Sequence, residues 1–574
     1  MIALGLLLPA LTISLVVWIL RTSRHGALQE RGGWSLRRLL QHLFLLVTLF
    51  SAANGVTRVL AAVMPAGRRI AGPASEELAL GLSLTLVAVP IWVILWRVVR
   101  RRLVDDADER ASAAWSLYLA VAATVSLIIA YVNLVEVGTW ALAAADFSGQ
   151  TLAAAVVWGA VWAAHTWLLT RPALAPTGAL SDLAVLAGSA VGVVGLARGM
   201  GGVVHYGLGQ IYHAIAGPAL IEGATTETLR QSLVIVALAA AIWWWHWLRQ
   251  ALHGQRSVLW QVYLLAVPVL GGLLTAAGSA AVTLHAAVQW VIGEPDATQA
   301  AVQFATLPAS LAAMVVGAWA WGYHRLVLGE ADERRCGEPE RAYEYLAAAV
   351  GLVAATAGVT MVFVAAIEAV APVPLVAVEP RGGNTLALAV TLLVVGAPSW
   401  WAFWRRLRTG AGDSAELASP SRRAYLFMLF GITGLAAAIS AVVILFVFLR
   451  DLLEGALAGT VVYDLRIAIA MVLTAGGVSA YHWTVHQDDR AAAPAAPTRL
   501  VRHVLLVSPD GQQLADRIAA DTGATVRTWH RLDVAGGEVD ADAVAAAILA
   551  SPHERLLVTI DDDGTVHAIP YEAS

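Results

Sequence analysis

Residues 230–248 read RQSLVIVALAAAIWWWHWL, an apolar run closed by Trp243, Trp244, Trp245, His246 and Trp247. About 20 mostly apolar residues is the length of a helix that crosses a bilayer. Aromatic side chains with one polar edge gather where hydrocarbon meets headgroups. The stretch predicts a membrane span that ends at an interface. The same ending recurs along the chain. It is seen at Pro90 to Arg97 (with Trp92 and Trp96), at Trp162, His165 and Trp167, and at Trp319, Trp321, His324 and Arg325. It returns at Pro398 to Arg405 (with Trp400 and Trp404) and at Tyr481, His482 and Trp483. The landmarks Trp96, Trp167, Trp247, Arg325, Trp404 and Trp483 are 71, 80, 78, 79 and 79 residues apart.

Thirteen stretches meet the length and apolarity of a span: 2–20, 39–63, 78–96, 113–137, 151–169, 180–197, 230–248, 258–284, 301–323, 345–370, 385–404, 424–449 and 464–483. Paired from the second onward, they make six hairpins after one leading helix. The expected fold is an all-α polytopic bundle with a small C-terminal α/β domain. Met1–Leu20 lacks a basic leader and a small-residue cleavage site, so it reads as an uncleaved anchor.

Apolar residues reach 59% and charged ones 14% of the 574, against roughly 45–50% and about 25% in soluble domains. The mean hydropathy is +0.69. A net charge of −4 gives no field for nucleic acid. All 37 basic residues are arginine. That excludes a Schiff-base lysine and a Walker A loop. The single cysteine, Cys336, rules out an internal disulfide and a Cys-based zinc or iron–sulfur site.

The arginines also orient the chain. Connections on one side carry 23 of them and those on the other only 8, with strict alternation over all thirteen spans. Cytoplasmic loops retain positive charge, so the expectation is a cytoplasmic (inner) membrane protein with its N-terminus outside and its C-terminus cytoplasmic. The segments are then 1–34 (leading helix and basic loop), 35–171, 172–327 and 328–486 (two hairpins each), 487–499 (Ala/Pro-rich linker) and 500–574 (soluble domain).

First helices of several hairpins open alike, with Arg110 before Tyr118, Arg256 before Tyr263, Arg341 before Tyr343 and Arg423 before Tyr425. This opening, a long apolar helix and a second helix ending in His-Trp or Trp-Arg resemble a bacterial family of two-helix membrane units, known as a domain of unknown function. The resemblance covers roughly residues 35–485. The third hairpin departs from the pattern at its opening, and the first and fifth lack the histidine. It implies architecture and no activity.

Two polar sets stand out. His165, His246, His324 and His482 hold equivalent places at the arginine-rich end, as haem ligands, proton relays or members of an interfacial belt. Leu95 and Phe403, where the pattern asks for His, favour the belt. No cofactor and no metal site is therefore expected. The second set lies at the opposite end: Asn54, Arg58, Asn133, Glu136, Arg198, Glu368, Arg450 and Asp451. Arg58, Arg198 and Arg450 are the expected partners of Glu136, Glu368 and Asp451, lining a cavity or lying at the interface. After Arg198, Gly199–Ile211 reads as an external loop, re-entrant or interfacial, with His205 and His213 nearby. Gly188, Gly192 and Gly195 on one span are the small residues that let membrane helices approach closely.

In the tail, periodicity predicts strands 503–507, 524–529, 556–560 and 566–571 and helices 511–521 and 540–550. Asp561-Asp562-Asp563-Gly564 is a hairpin turn. The leading functional expectation is a non-catalytic scaffold, assembly or sensory subunit, embedded in the lipid bilayer, with a cytoplasmic partner for its tail. A transporter or channel using the outer charges is the alternative, and a haem-binding or other redox protein the third. Glu136, Glu368 and His246 are the residues that separate them.

Overall fold

The computed structural model describes residues 36–64, 74–217, 225–254, 256–295, 297–330, 338–372, 382–409, 417, 419–455, 459–492, 501–508, 511–530, 540–561 and 565–571. The stretch 2–20 lies outside them. Among the described residues, twelve helices are long and apolar enough to cross a membrane. They follow one another as six successive pairs, of which the first five pack closely as hairpins: α1 (Arg38–Ala62) with α2 (Ser75–Asp105), α3 (Ala113–Ala141) with α4 (Gly149–Leu169), and α5 (Leu183–Ala216) with α6 (Thr226–Ala251). Then come α7 (Val258–Ile292) with α8 (Ala300–Gly329), α9 (Arg341–Val370) with α10 (Gly383–Arg408), and α11 (Pro420–Leu453) with α12 (Arg466–Ala492).

Helix starts follow local chemistry. Ser112, Ser148, Thr225, Ser257 and Ser419 each accept a hydrogen bond from the amide three residues on. Such side-chain caps satisfy first-turn donors that have no helical partner. Two arginines do the same for helix ends. Arg110 donates to the carbonyl of Leu103 (2.6 Å) and the buried Arg422 to that of Leu407 (3.3 Å).

Glycines set the distance within hairpins. A Cβ added at Gly192 would sit 2.7 Å from the backbone of Trp243, one at Gly351 2.4 Å from Trp400 N, and one at Gly396 2.4 Å from Ala355 N. In lipid, association rests on such contact packing, because the tails are as apolar as the side chains. Gly188 makes room for the His246 ring, and Gly195 for Tyr131 and Ala239, so the three glycines picked out from the sequence all lie at helix contacts.

One expectation is corrected. Gly199–Ile211 is not a loop; it is the last part of α5, which continues to Ala216. Membrane helices tolerate glycine. Here Gly199 and Gly202 meet Ile235, Val236 and Ser232 of α6, so the extension packs rather than turns. Among the described residues two helices contain π segments, Trp244–Ala251 in α6 and Leu265–Val269, with Pro268, in α7. In the former the adjacent His246 and Trp247 are both buried.

The chain divides into two compact units, the second comprising most of the chain beyond Val485. That unit holds β1 (His503–Ser508), α13 (Gly511–Thr522), β2 (Thr525–His530), α14 (Ala541–Leu549), β3 (Arg555–Ile560) and β4 (Val566–Pro570). The sheet order is β2-β1-β3-β4, with β1 parallel to both β2 and β3, and β3 antiparallel to β4. Alternation puts Val504, Leu506, Leu556, Val558 and Ile560 inward against Ile518, Val544 and Ile548, all buried. This is the β-α-β-α-β-β order read from the sequence. Upstream, α12 runs to Ala492, into the segment read as linker.

Candidate functional site

At the arginine-rich end, three of the four histidines occupy one geometry. His165 Nδ1 lies 2.7 Å from the carbonyl of Val161, His324 Nδ1 2.8 Å from that of Ala320, and His482 Nδ1 2.8 Å from that of Val478. A carbonyl only accepts, so Nδ1 carries the proton and Nε2 of the neutral ring is a bare acceptor. Each ring meets an aromatic side chain of another helix. Tyr118 of α3 packs at 5.7 Å from His165 and its hydroxyl donates to Nε2 at 3.1 Å. Trp247 of α6 packs at 5.3 Å from His324 and 5.5 Å from Tyr263. Trp404 of α10 packs at 5.6 Å from His482 and 5.4 Å from Tyr425.

The second and third clusters share a further link. Trp247 Nε1 donates to the Tyr323 hydroxyl (3.2 Å) and Trp404 Nε1 to that of Tyr481 (2.7 Å). Tyr323-His324 and Tyr481-His482 are the sequence signal for it. In these two clusters the Nε2 atoms and the hydroxyls of Tyr263 and Tyr425 are buried without a hydrogen-bond partner. His246 is different. Both of its nitrogens are buried and unpartnered, its ring lies against Gly188, and Trp162 is 6.0 Å away. The structure thus joins each of the other three histidines to its own aromatic cluster.

The set at the opposite end pairs differently from expectation. Only Arg450 and Asp451 meet as foreseen, at 2.7 Å between sequence neighbours. Arg58 is held by Asn54 one turn before it (3.1 Å) and pairs with Glu77 of α2. Asn133 turns back to its own helix, donating to Ile129 O at 2.7 Å. Glu136 accepts from Thr151 across its hairpin at 3.0 Å. Glu368, largely buried, accepts from Arg466 Nε at 3.0 Å and from Thr385 at 2.9 Å, linking α9, α12 and α10. Arg198 is exposed. Glu77, Thr151, Thr385 and Arg466 are the partners that sequence reasoning missed. Each lies on the facing end of another helix, where register decides contact.

Repeated hairpins, clustered interfacial aromatics and twelve apolar helices define a multi-pass membrane protein of internally repeated units. Its family follows from three matches, at residues 37–164, 182–318 and 341–477, to Domain of unknown function (DUF5671). The chain belongs to that family. Each match takes in four helices, so the family unit comprises two of the hairpins. No curated protein and no solved structure matches the chain.

Proposed function

We propose that this protein is a non-catalytic subunit of the cytoplasmic membrane, a scaffold, assembly or sensory component whose cytoplasmic tail binds a soluble protein. The observation that carries this reading is the edge of the tail's sheet. Among the described residues, strand β2 pairs on one side only, with β1, and Trp529 on it is 63% exposed. An open strand edge recruits another strand, and aromatic side chains anchor protein interfaces. The polar sets within the bundle support the reading, because they tie helices to one another: Tyr118 to His165, and Arg466 and Thr385 to Glu368. The 23-to-8 arginine bias supports a cytoplasmic side for the tail.

The test is affinity purification of the full chain in a mild maltoside detergent from its native membrane. A stoichiometric soluble protein is expected to co-purify, and to be lost on deletion of residues 487–574 and on Trp529→Glu. A partner retained by the deletion variant, or none with the full chain, overturns the reading.

A further inference from the structure

Near the ends of α7, α8 and α10 that face away from the arginine-rich loops lies a cavity of about 470 Å³. That is within the range of small-molecule sites, about 300–1,000 Å³. Its polar lining is His285, Gln289, Gln303, Thr306 and Thr391, and the rest is aliphatic, such as Val282 and Leu388. His285 is seven residues from the end of α7 and Thr391 eight from the start of α10, so both lie roughly 10–12 Å along their helices from those ends. His285 and Thr391 thus lie along membrane-crossing helices, where an unsatisfied donor or acceptor is costly.

The hydrogen bonds fix what each group offers. Thr391 donates its hydroxyl to Ala387 O (2.8 Å), so toward His285 Nδ1, 3.5 Å away, it presents a lone pair. With Nδ1 donating to that oxygen, the neutral ring offers Nε2 to the cavity as an acceptor. Gln303 Nε2 donates to Gln289 Oε1 at 3.0 Å, which leaves the Gln303 carbonyl as a second acceptor. The Thr306 hydroxyl adds a group that both donates and accepts. None of the described lining residues is charged. Acceptors and a hydroxyl beside an aliphatic wall, with no charged side chain among the described lining residues, fit a neutral ligand with O–H donors next to an apolar part.

We propose that this cavity binds an uncharged, hydroxyl-bearing molecule: a glycerol-type head, either attached to acyl chains or free. It is independent of the tail and of the scaffold reading, and the two fail separately. The probes are radiolabelled dioctanoylglycerol, free glycerol and dioctanoylphosphatidylglycerol, applied to the immobilised full chain in maltoside micelles. Saturable retention of dioctanoylglycerol at one per chain is expected. Ala286→Trp, which fills the cavity, and His285→Phe, which removes the acceptor, are each expected to weaken it about tenfold or more. His285→Gln restores a carbonyl acceptor and keeps the affinity within a few-fold. It also serves, with gel filtration, as the control for folding. Competition by free glycerol identifies a soluble polyol as the source, and its absence a lipid head; both uphold the site. Equal retention of the anionic phosphatidylglycerol, or retention unchanged in Ala286→Trp, overturns it, as does no saturable retention of either neutral probe.

Discussion

Substituting Gly396 by alanine adds one methyl group where α9 and α10 are closest. The new Cβ would lie 2.4 Å from Ala355 N, 2.7 Å from Ala354 Cβ and 2.8 Å from Ala354 C. Backbone atoms of a helix do not rotate aside, and ordinary contact begins near 3.4 Å, so the helices must part by about 1 Å. A gap of that size forfeits roughly a quarter to a half of the dispersion attraction between the atoms it separates. In lipid no hydrophobic gain replaces it. Overpacking of this kind costs about 1–3 kcal/mol. Against it stands the helix preference of alanine over glycine, about 0.5–1 kcal/mol, so the net effect is destabilising. At Gly322 in α8 nothing lies within 4 Å of an added Cβ, and only the favourable term remains. In detergent, apparent melting followed by loss of the monodisperse gel-filtration peak is expected to fall by a few degrees for Gly396→Ala. It is expected to hold or rise for Gly322→Ala. Because Gly351 opens the same gap from the other helix, the double Gly351→Ala/Gly396→Ala is expected to cost less than the sum. Equal shifts for Gly396→Ala and Gly322→Ala would refute close backbone approach as the force holding this hairpin.

Tyr118→Phe strips His165 Nε2 of its donor and is expected to destabilise by about 1–3 kcal/mol, whereas Tyr425→Phe removes a hydroxyl that has no partner and should leave melting unchanged or raised. Arg466→Gln leaves the largely buried Glu368 carboxylate with Thr385 alone, so it should lower melting more than the double Glu368→Gln/Arg466→Gln does; the reverse order would show that the pair is not a coupled unit. Ile518→Asp places a charge in the fully buried core of the tail and should render residues beyond 501 protease-sensitive while α1–α12 stay resistant; joint loss of both units would contradict their separate cores.

Much of the membrane architecture was legible because lipid imposes a simple rule: a long apolar run must become a helix to satisfy its own backbone. Span positions, hairpin order and the alternating strands of the tail all follow from period and length. What was not legible depends on register between helices. Glu136 and Arg58 sit at neighbouring helix ends, yet their partners are Thr151 and Glu77, chosen by which faces meet. Gly199–Ile211 misled because glycine-rich sequence signals a loop in water, whereas within α5 the same glycines admit α6. The π segment at Trp244–Ala251, in which both His246 and Trp247 are buried, leaves no mark in composition.

The period of about 79 residues is real at the level of hairpins, yet the contacts show why the family unit is twice as long. In each group of four helices the first pair supplies the tryptophan (Trp96, Trp247, Trp404), and the second supplies the ring at its start (Tyr118, Tyr263, Tyr425) and, just past the end of the family match, the histidine (His165, His324, His482). In the second and third units Trp247 and Trp404 reach across to the tyrosine before the histidine, and in the first Trp96 stacks at 6.4 Å on Trp115, which stacks in turn on Tyr118. A lone hairpin has either the tryptophan or the tyrosine–histidine half of this cluster. Pairing two hairpins completes it, buries the ring nitrogens and gives a four-helix unit with a polar–aromatic anchor at one end. The histidine missing at Leu95 and Phe403 is then not decay of a repeat. Those positions belong to first hairpins, whose part in the anchor is the tryptophan, and His246 in the π segment is the departure that needs its own explanation.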